Sequence, residues 1–350
     1  MRADGWSIEA FDPANETARA QWNGLVARTR GSVVQRAEFI FACAAVLGKP
    51  GLRLAFFWQA GEVAACALLQ WRWCLPDIFI ESVLPLGAWI QQPALSLETL
   101  AGSLLKQVPL GARLGISQID PLYAPQPAHS AHADTLPYIQ TPWLEVTGSY
   151  PDYWAARGKN LRTNLRKQRD KLAASGILTR LEILRAPQDM ARAITDYAAL
   201  ESLGWKAAGG TAVSVDHPQT RFYREMLERY ALQGQARVYR YFFGEQLVAT
   251  ELCLCADGEF VILKTTYDES TAPLSPASLL RQEMFEGLFG EGNIQRVEFY
   301  GPLKEWHTRW TPNSREIYHA NVYACATAAA LVAKLKARRQ VLTTPDTGAS

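Results

Sequence analysis

Residues 237–286 read RVYRYFFGEQLVATELCLCADGEFVILKTTYDESTAPLSPASLLRQEMFE, and this stretch decides the fold. Its two β-rich runs, Leu247–Cys255 and Glu259–Tyr267, flank an Asp257-Gly258 dipeptide, the strongest short hairpin signal a sequence carries. A loop with Pro273 and Pro276 follows, then a helical run to Glu286. A strand that feeds a helix N-terminus through a short loop suits an anionic group, because the first-turn N–H groups have no partner inside the helix.

Working outward, the same arrangement occurs earlier in the chain. Residues 53–69, RLAFFWQAGEVAACALL, lie over residues 237–253, RVYRYFFGEQLVATELC, without a gap. Arg53 meets Arg237, Val63 meets Leu247 and Ala65 meets Ala249. Each copy then reaches a helix and a late strand, RLGISQIDP from Arg113 and RVEFYGP from Arg296. Strands alternate with helices elsewhere too, so the class is α/β with some parallel pairing. The repeat predicts two similar units, 1–145 and 146–340, with a disordered tail at 341–350. Residues 121–137 hold four prolines and two histidines and read as a loop or crossing. Residues 150–174 read as one long basic helix.

Composition bounds the function. With 350 residues and 48% hydrophobic content the chain suits a globular protein of about two domains. A net charge of +2 argues against a dedicated nucleic-acid binder. No apolar run reaches the roughly 18 residues of a membrane span. The apolar run 322–333 with the basic stretch 334–339 fits a terminal packing helix, or peripheral contact with a membrane surface. The six cysteines show no CxxC spacing, fit a reducing cytoplasm, and give no metal set.

Four places could carry chemistry. Glu251 stands in an otherwise apolar strand, and the first copy has Ala67 there. It reads either as a retained catalytic base or as a solvent-facing residue on an edge strand. Glu201 continues the stripe of Met190, Ile194 and Tyr197, with Trp205 and Lys206 just beyond Gly204; it faces a pocket or a frayed helix end. Seven basic residues against one acid lie between Arg157 and Lys171, with Arg162, Arg166 and Arg169 in a row. That row suits phosphate or carboxylate recognition, or is a solvated face. In residues 298–310, EFYGPLKEWHTRW, Lys304 reads as a group to stabilise an oxyanion or hold a phosphate, and His307 as one to move a proton or serve structure.

KNLRTNLRKQRDKL, ESLGWK, VATELCL, YDESTAPLSPASLL and FYGPLKEWHTRW occur in this order between residues 150 and 310. Together they resemble the BioF2-like or CelD-like acetyltransferase domain of the Gcn5-related (GNAT) superfamily, which is similar to the FemAB peptidyltransferases. The resemblance implies tandem GNAT-like domains, each a mixed twisted sheet flanked by helices. It implies acyl transfer from acyl-CoA, without a metal, to an amine or hydroxyl of a small acceptor such as an amino sugar or amine-bearing lipid. The donor arm would follow Lys264, Thr265, Thr266 and Tyr267, with its phosphates at Ser275, Ala277 and Ser278. Glu251 would be the base, with Glu201 or Asp268 as substitutes, and Lys304 would hold the oxyanion. The acceptor would meet the arginine row, Trp205, Lys206, Tyr300, Trp306 and His307. One departure stands out: the glycine-rich phosphate loop is replaced by residues 270–278, STAPLSPAS. An aminoacyl-tRNA donor, as in FemAB proteins, and a non-catalytic binding role are the competing readings.

Overall fold

The structure is a computed structural model, and it describes residues 3–72, 75–109, 111–202 and 217–329. Its first part contains β1 (Gly5–Ala10), α1 (Glu16–Thr29), α2 (Ala37–Leu47), β2 (Arg53–Gln59), β3 (Glu62–Arg72), β4 (Leu75–Ile78) and β5 (Trp89–Gln91). It continues through α3 (Leu97–Leu105), β6 (Arg113–Ile119) and β7 (Ala133–Glu145). The second part contains α4 (Tyr150–Ala155), α5 (Lys159–Ala174), β8 (Thr179–Leu184), α6 (Met190–Ser202), α7 (Pro218–Leu232), β9 (Ala236–Phe243), β10 (Gln246–Ala256) and β11 (Glu259–Tyr267). α8 (Pro276–Glu291), β12 (Arg296–Glu298), α9 (Glu305–Thr308) and β13 (Ser314–Tyr323) complete it.

All strands join one mixed sheet in the order β1-β2-β3-β4-β6-β13-β7-β12-β11-β10-β9-β8, with β5 also on β3. The order is mirrored about the β13–β7 pair: β1, β2, β3 and β6 on one side correspond to β8, β9, β10 and β12 on the other. The repeat extends to a defect. In the β2–β3 hairpin Ala64 is the extra residue, since Phe57 pairs with Ala65 and Trp58 with Val63. In the β9–β10 hairpin Val248 is extra, with Tyr241 on Ala249 and Phe242 on Leu247. In the gapless alignment these two residues coincide. A bulge is a built feature that bends its strand, so its repetition marks true duplication of structure. The β10–β11 turn has both Asp257 and Gly258 at positive φ, as its sequence predicts.

Three sequence expectations need correction. Residues 150–174 are two helices, α4 and α5, separated at Gly158. Residues 133–137, expected within the loop or crossing 121–137, belong instead to one long strand, Ala133–Glu145. Pro137 and Pro142 are tolerated there because β7 has only β13 beside it until Trp143, where β12 begins to pair. The strand Ser314–Tyr323 was not anticipated; it inserts between β6 and β7, so the second part of the chain completes the sheet of the first.

The helices make two cores. One runs through both halves and packs Phe39 and Phe41 of α2 with Phe222 and Tyr230 of α7. The other, on the opposite face of the second half's sheet, gathers Leu165 of α5 and Leu280 and Phe285 of α8 against Tyr239, Tyr241 and Phe260. Glu259 ties the halves together. It accepts from the Ser32 hydroxyl (2.9 Å), the Val33 N–H (2.7 Å), and the Tyr123 and Tyr300 hydroxyls (both 3.3 Å).

Candidate active site

The site begins where two strands part. β11 and β12 are parallel and pair through only Glu259–Arg296, Phe260–Val297 and Val261–Glu298. β12 ends there, and the chain turns away through Tyr300, whose φ is 44°. β11 continues to Tyr267 with β10 on one edge and, among the described residues, no strand on the other. A bulge at Leu263 shifts its register, since Ile262 pairs with Cys253 but Lys264 with Leu252. The gap opens onto a cleft of about 400 Å³. Thr265 and Tyr267 line it from the strand, Ser275, Ala277, Ser278 and Arg281 from the start of α8, and Trp306 closes it from α9.

The N-terminus of α8 faces this cleft in an unusual state. Ser275 takes the left-handed conformation, φ 56°, and gives no side-chain cap. Pro276 has no N–H. The Ser278 and Leu279 N–H groups both return to the Ser275 carbonyl, which leaves that of Ala277 without a bond to a described residue. The Ser275 hydroxyl accepts from Asn164 of α5 at 3.3 Å. A second groove of about 700 Å³ runs from Ser275 and Ser278 past Asn164 and Arg157 to Arg309.

Beneath the cleft lies Glu251, fully buried on the same sheet face as Thr265. Its Oε1 accepts from the Thr265 hydroxyl (3.2 Å) and from Arg281 Nη2, while Oε2 has no hydrogen-bond partner among the described residues. Burial pushes the carboxyl above its usual range, and the Arg281 charge draws it back. Arg281 is 3% exposed and lies over the Trp306 ring at 4.4 Å. The edge-strand alternative for Glu251 therefore falls. So does direct contact with an acceptor, because its carboxylate is sealed under Thr265 and Arg281 and does not line the cleft.

Strand alternation divides the other predicted residues. Thr265 and Tyr267 face the cleft; Lys264 and Thr266 point to the other sheet face. There Lys264 borders a void of about 10 Å³ with Glu201, Tyr197 and Tyr223, room for no more than a water. Glu201 is 4% exposed and accepts from Tyr197 at 2.9 Å, which corrects its reading as a substitute base at the cleft. Trp205 and Lys206 lie outside the described residues. Asp268 caps the turn after β11, accepting from the Ser270 N–H (2.9 Å), the Ser270 hydroxyl (2.7 Å) and Gln246 (2.8 Å), so its part is structural. Lys304 is exposed and does not line the cleft; its N–H donates to His307 Nδ1 at 2.9 Å. His307 is buried, its ring 3.5 Å from Trp306, and burial with the Arg281 charge lowers its pKa to about 4. The imidazole is neutral at pH 7 and its Nδ1 is engaged, so it supports Trp306. Tyr300 is turned to Glu259 at the seam between the halves, which corrects its placement at an acceptor.

The arginine row splits as well. Arg169 bonds Gln282 at 2.5 Å and Glu283 at 3.3 Å and so fastens α5 to α8. Arg162, which donates to the Arg157 carbonyl at 3.0 Å, and Arg166 border a groove of about 590 Å³ with Lys159 and Trp154. Among the described residues no group of three or more His, Cys, Asp or Glu is placed to hold a metal ion. None of their helices is long and apolar enough to cross a membrane.

Residues 159–308 match a family model described as an acetyltransferase (GNAT) domain. That span is similar to a GNAT domain. It holds α5, the β9–β10–β11 sheet, the cleft and all of α9. Solved structures extend the likeness over nearly the whole chain. FemX superposes with a TM-score of 0.57 at 9% identity, covering 91% of this chain and 98% of its own. The C-terminal domain (DUF2156) of a protein assigned as a lysylphosphatidylglycerol synthetase from Agrobacterium fabrum gives 0.54 at 13%, covering 92% and 97%. A conserved protein of unknown function from Bacteroides thetaiotaomicron gives 0.54 at 8%, covering 90% and 99%. At these identities the likeness is one of fold, and it agrees with the FemAB-type GNAT architecture. No curated protein matches the chain.

One residue of the cleft escaped the sequence reading. Arg281 stands in α8 between the buried Leu280 and Met284. A charge in the buried stripe of a helix was its signal, and the strand carboxylate 30 positions earlier was the partner to look for.

Proposed function

We propose that the second half transfers an acyl group from an activated donor to an amine or hydroxyl of a small acceptor, with acyl-CoA as the donor. The observation that carries this is the parting of β11 from β12 beside the α8 N-terminus, within the GNAT-matching residues. An extended donor arm can add to the open edge of β11 as a strand would, by main-chain hydrogen bonds. The donor's phosphates then reach the Ala277 N–H and Ser278 hydroxyl at the positive end of α8. With Pro276 in place of a donor, the site offers fewer phosphate contacts than a glycine loop, and Arg157 and Arg309 along the adjoining groove add positive charge. The test is thiol release from a panel of acyl-CoA donors with amino-sugar and amine-lipid acceptors, with products read by mass spectrometry. Release that depends on acceptor supports the reading. Absence of product with every donor, thioester or aminoacyl-tRNA, ends it.

An aminoacyl-tRNA donor is favoured by one observation, the basic groove of Lys159, Arg162 and Arg166 on α5. Binding of tRNA that weakens with salt and is lost in R162E/R166E would select this donor; no binding at low salt removes it. Arg169 is left intact in that variant because it holds α8.

A further inference from the structure

We propose that Arg281 is a catalytic residue that holds the donor's carbonyl oxygen as it becomes an oxyanion, and that Glu251 and Trp306 position it. This rests on the acyl-transfer reading above.

Arg281 is the charged side chain of the cleft; every other lining group is neutral. It is also held still. Nη2 is committed to Glu251 and reaches the Thr265 hydroxyl at 3.4 Å, and the guanidinium carbon lies over the Trp306 ring at 4.4 Å. A planar fork fixed at one nitrogen and held against a ring presents its other N–H groups in a set direction. Those groups are uncommitted among the described residues: Nε is buried with no hydrogen-bond partner there, and Nη1 makes no bond to them. Arg237, Arg240 and Arg296 share such an Nε, but of the four arginines Arg281 alone lines this cleft. Buried donors without acceptors are uncommon in native proteins. Here they sit beside a cleft, where an oxygen that gains charge would satisfy them.

Stability alone does not account for the pair. A buried ion pair is often no more stabilising than apolar residues of the same volume. The first half shows such an apolar solution: Ala67 replaces Glu251, and the buried side of α3 is Leu97, Leu100, Ala101, Leu104 and Leu105. Acid and base are absent together from the copy whose strands do not part around a cleft.

The chemistry balances without another reactant. The acceptor's nitrogen or oxygen adds to the donor's carbonyl carbon, and the carbon–oxygen π pair moves onto the oxygen, which the free guanidinium N–H groups hold. On collapse the carbonyl re-forms and the bond to the leaving sulfur or ribose oxygen breaks. The acceptor's proton departs with that group, so RCO–X and H–Y give RCO–Y and H–X. Donors set in advance act on the transition state more than on the bound donor.

The experiment uses the full chain with the donor found to support turnover. Arg281→Lys keeps a charge beside Glu251 but loses the fork, and Arg281→Gln loses both. Each should lower kcat by about a hundredfold or more, with the donor KM within about threefold of wild type. Glu251→Gln, which only loosens the arginine, should lower kcat by about tenfold. Guanidinium ion should restore part of the turnover of Arg281→Ala, and urea should not. If Arg281→Gln does not fold, Arg281→Lys and the uncharged pair E251Q/R281Q carry the test, with folding checked by circular dichroism. A folded Arg281→Lys with wild-type kcat overturns the proposal, and so does a change confined to KM. Either result leaves acyl transfer standing. No turnover by wild type with any donor overturns both.

Discussion

The two halves share a frame and differ in what fills it. In each, a hairpin with the same bulge leads to a third strand, a helix and a late strand. In the first half the place of β11 is taken by two short strands, β4 and β5, both on β3. The segment between them carries Phe79, Val83, Leu84 and Leu86 into the core and fills the space beside β6. Gly87 donates to the Gln118 carbonyl at 3.1 Å, and a Cβ there would stand 2.1 Å from the Ser117 carbonyl oxygen, so the approach requires glycine. In the second half the strand is continuous, no described strand pairs with its late edge, and a cleft remains. Duplication preserved the sheet, while function depends on whether the gap between strands is packed with protein or left to a ligand.

That contrast can be broken most forcefully by moving the carboxylate. Ala67→Glu places an acid in a fully buried strand site with an apolar helix above it. We expect a loss of about 4–5 kcal/mol or more, or failure to fold, measured by urea unfolding. Retained stability would mean that the first half can accommodate such a charge. Next in size is Arg281→Gln, which leaves Glu251 buried and unpaired and should cost about 3–5 kcal/mol. E251Q/R281Q should cost less than Arg281→Gln alone, and additive losses would deny the coupling.

The seam between the halves gives a pH test. Glu298 is fully buried between Arg296 (2.7 Å) and Arg315 (2.9 Å), and burial lifts its pKa from 4.5 to about 8. A raised carboxyl pKa means that the folded state binds the proton more tightly than the unfolded chain. The resulting stability is complete below about 4.5 and is lost as pH rises through about 8. Glu298→Gln should therefore flatten the decline in unfolding free energy across that window. An unchanged slope would mean that this group does not couple the seam to pH. The smallest effect is expected at Lys304, where Lys304→Ala should change stability by less than about 0.5 kcal/mol and leave turnover near wild type. A loss comparable to that of Arg281→Lys would return the oxyanion role to Lys304.

The sequence by itself determined the α/β class, the duplicated hairpins, the Asp257-Gly258 turn and the anomaly of Glu251. Each follows from local signals: a two-residue alternation, a dipeptide that accepts positive φ, a charge among apolar neighbours. Tertiary structure decided the rest. The parting of β11 from β12 is the absence of a neighbour, and no residue of β11 encodes it. Arg281 becomes meaningful only when α8 crosses the sheet above Glu251. Glu201, read from its helical spacing, and Lys264, placed on the donor arm by the resemblance, fall on the far face because a sheet separates its two sides completely. The resemblance places Tyr300 at the acceptor, yet its hydroxyl joins Ser32 and Tyr123 on Glu259, across separations of 41, 227 and 136 residues. Periodicity reports which face a side chain takes. Which strand or helix meets that face is set by long-range packing, and the candidate site is made there.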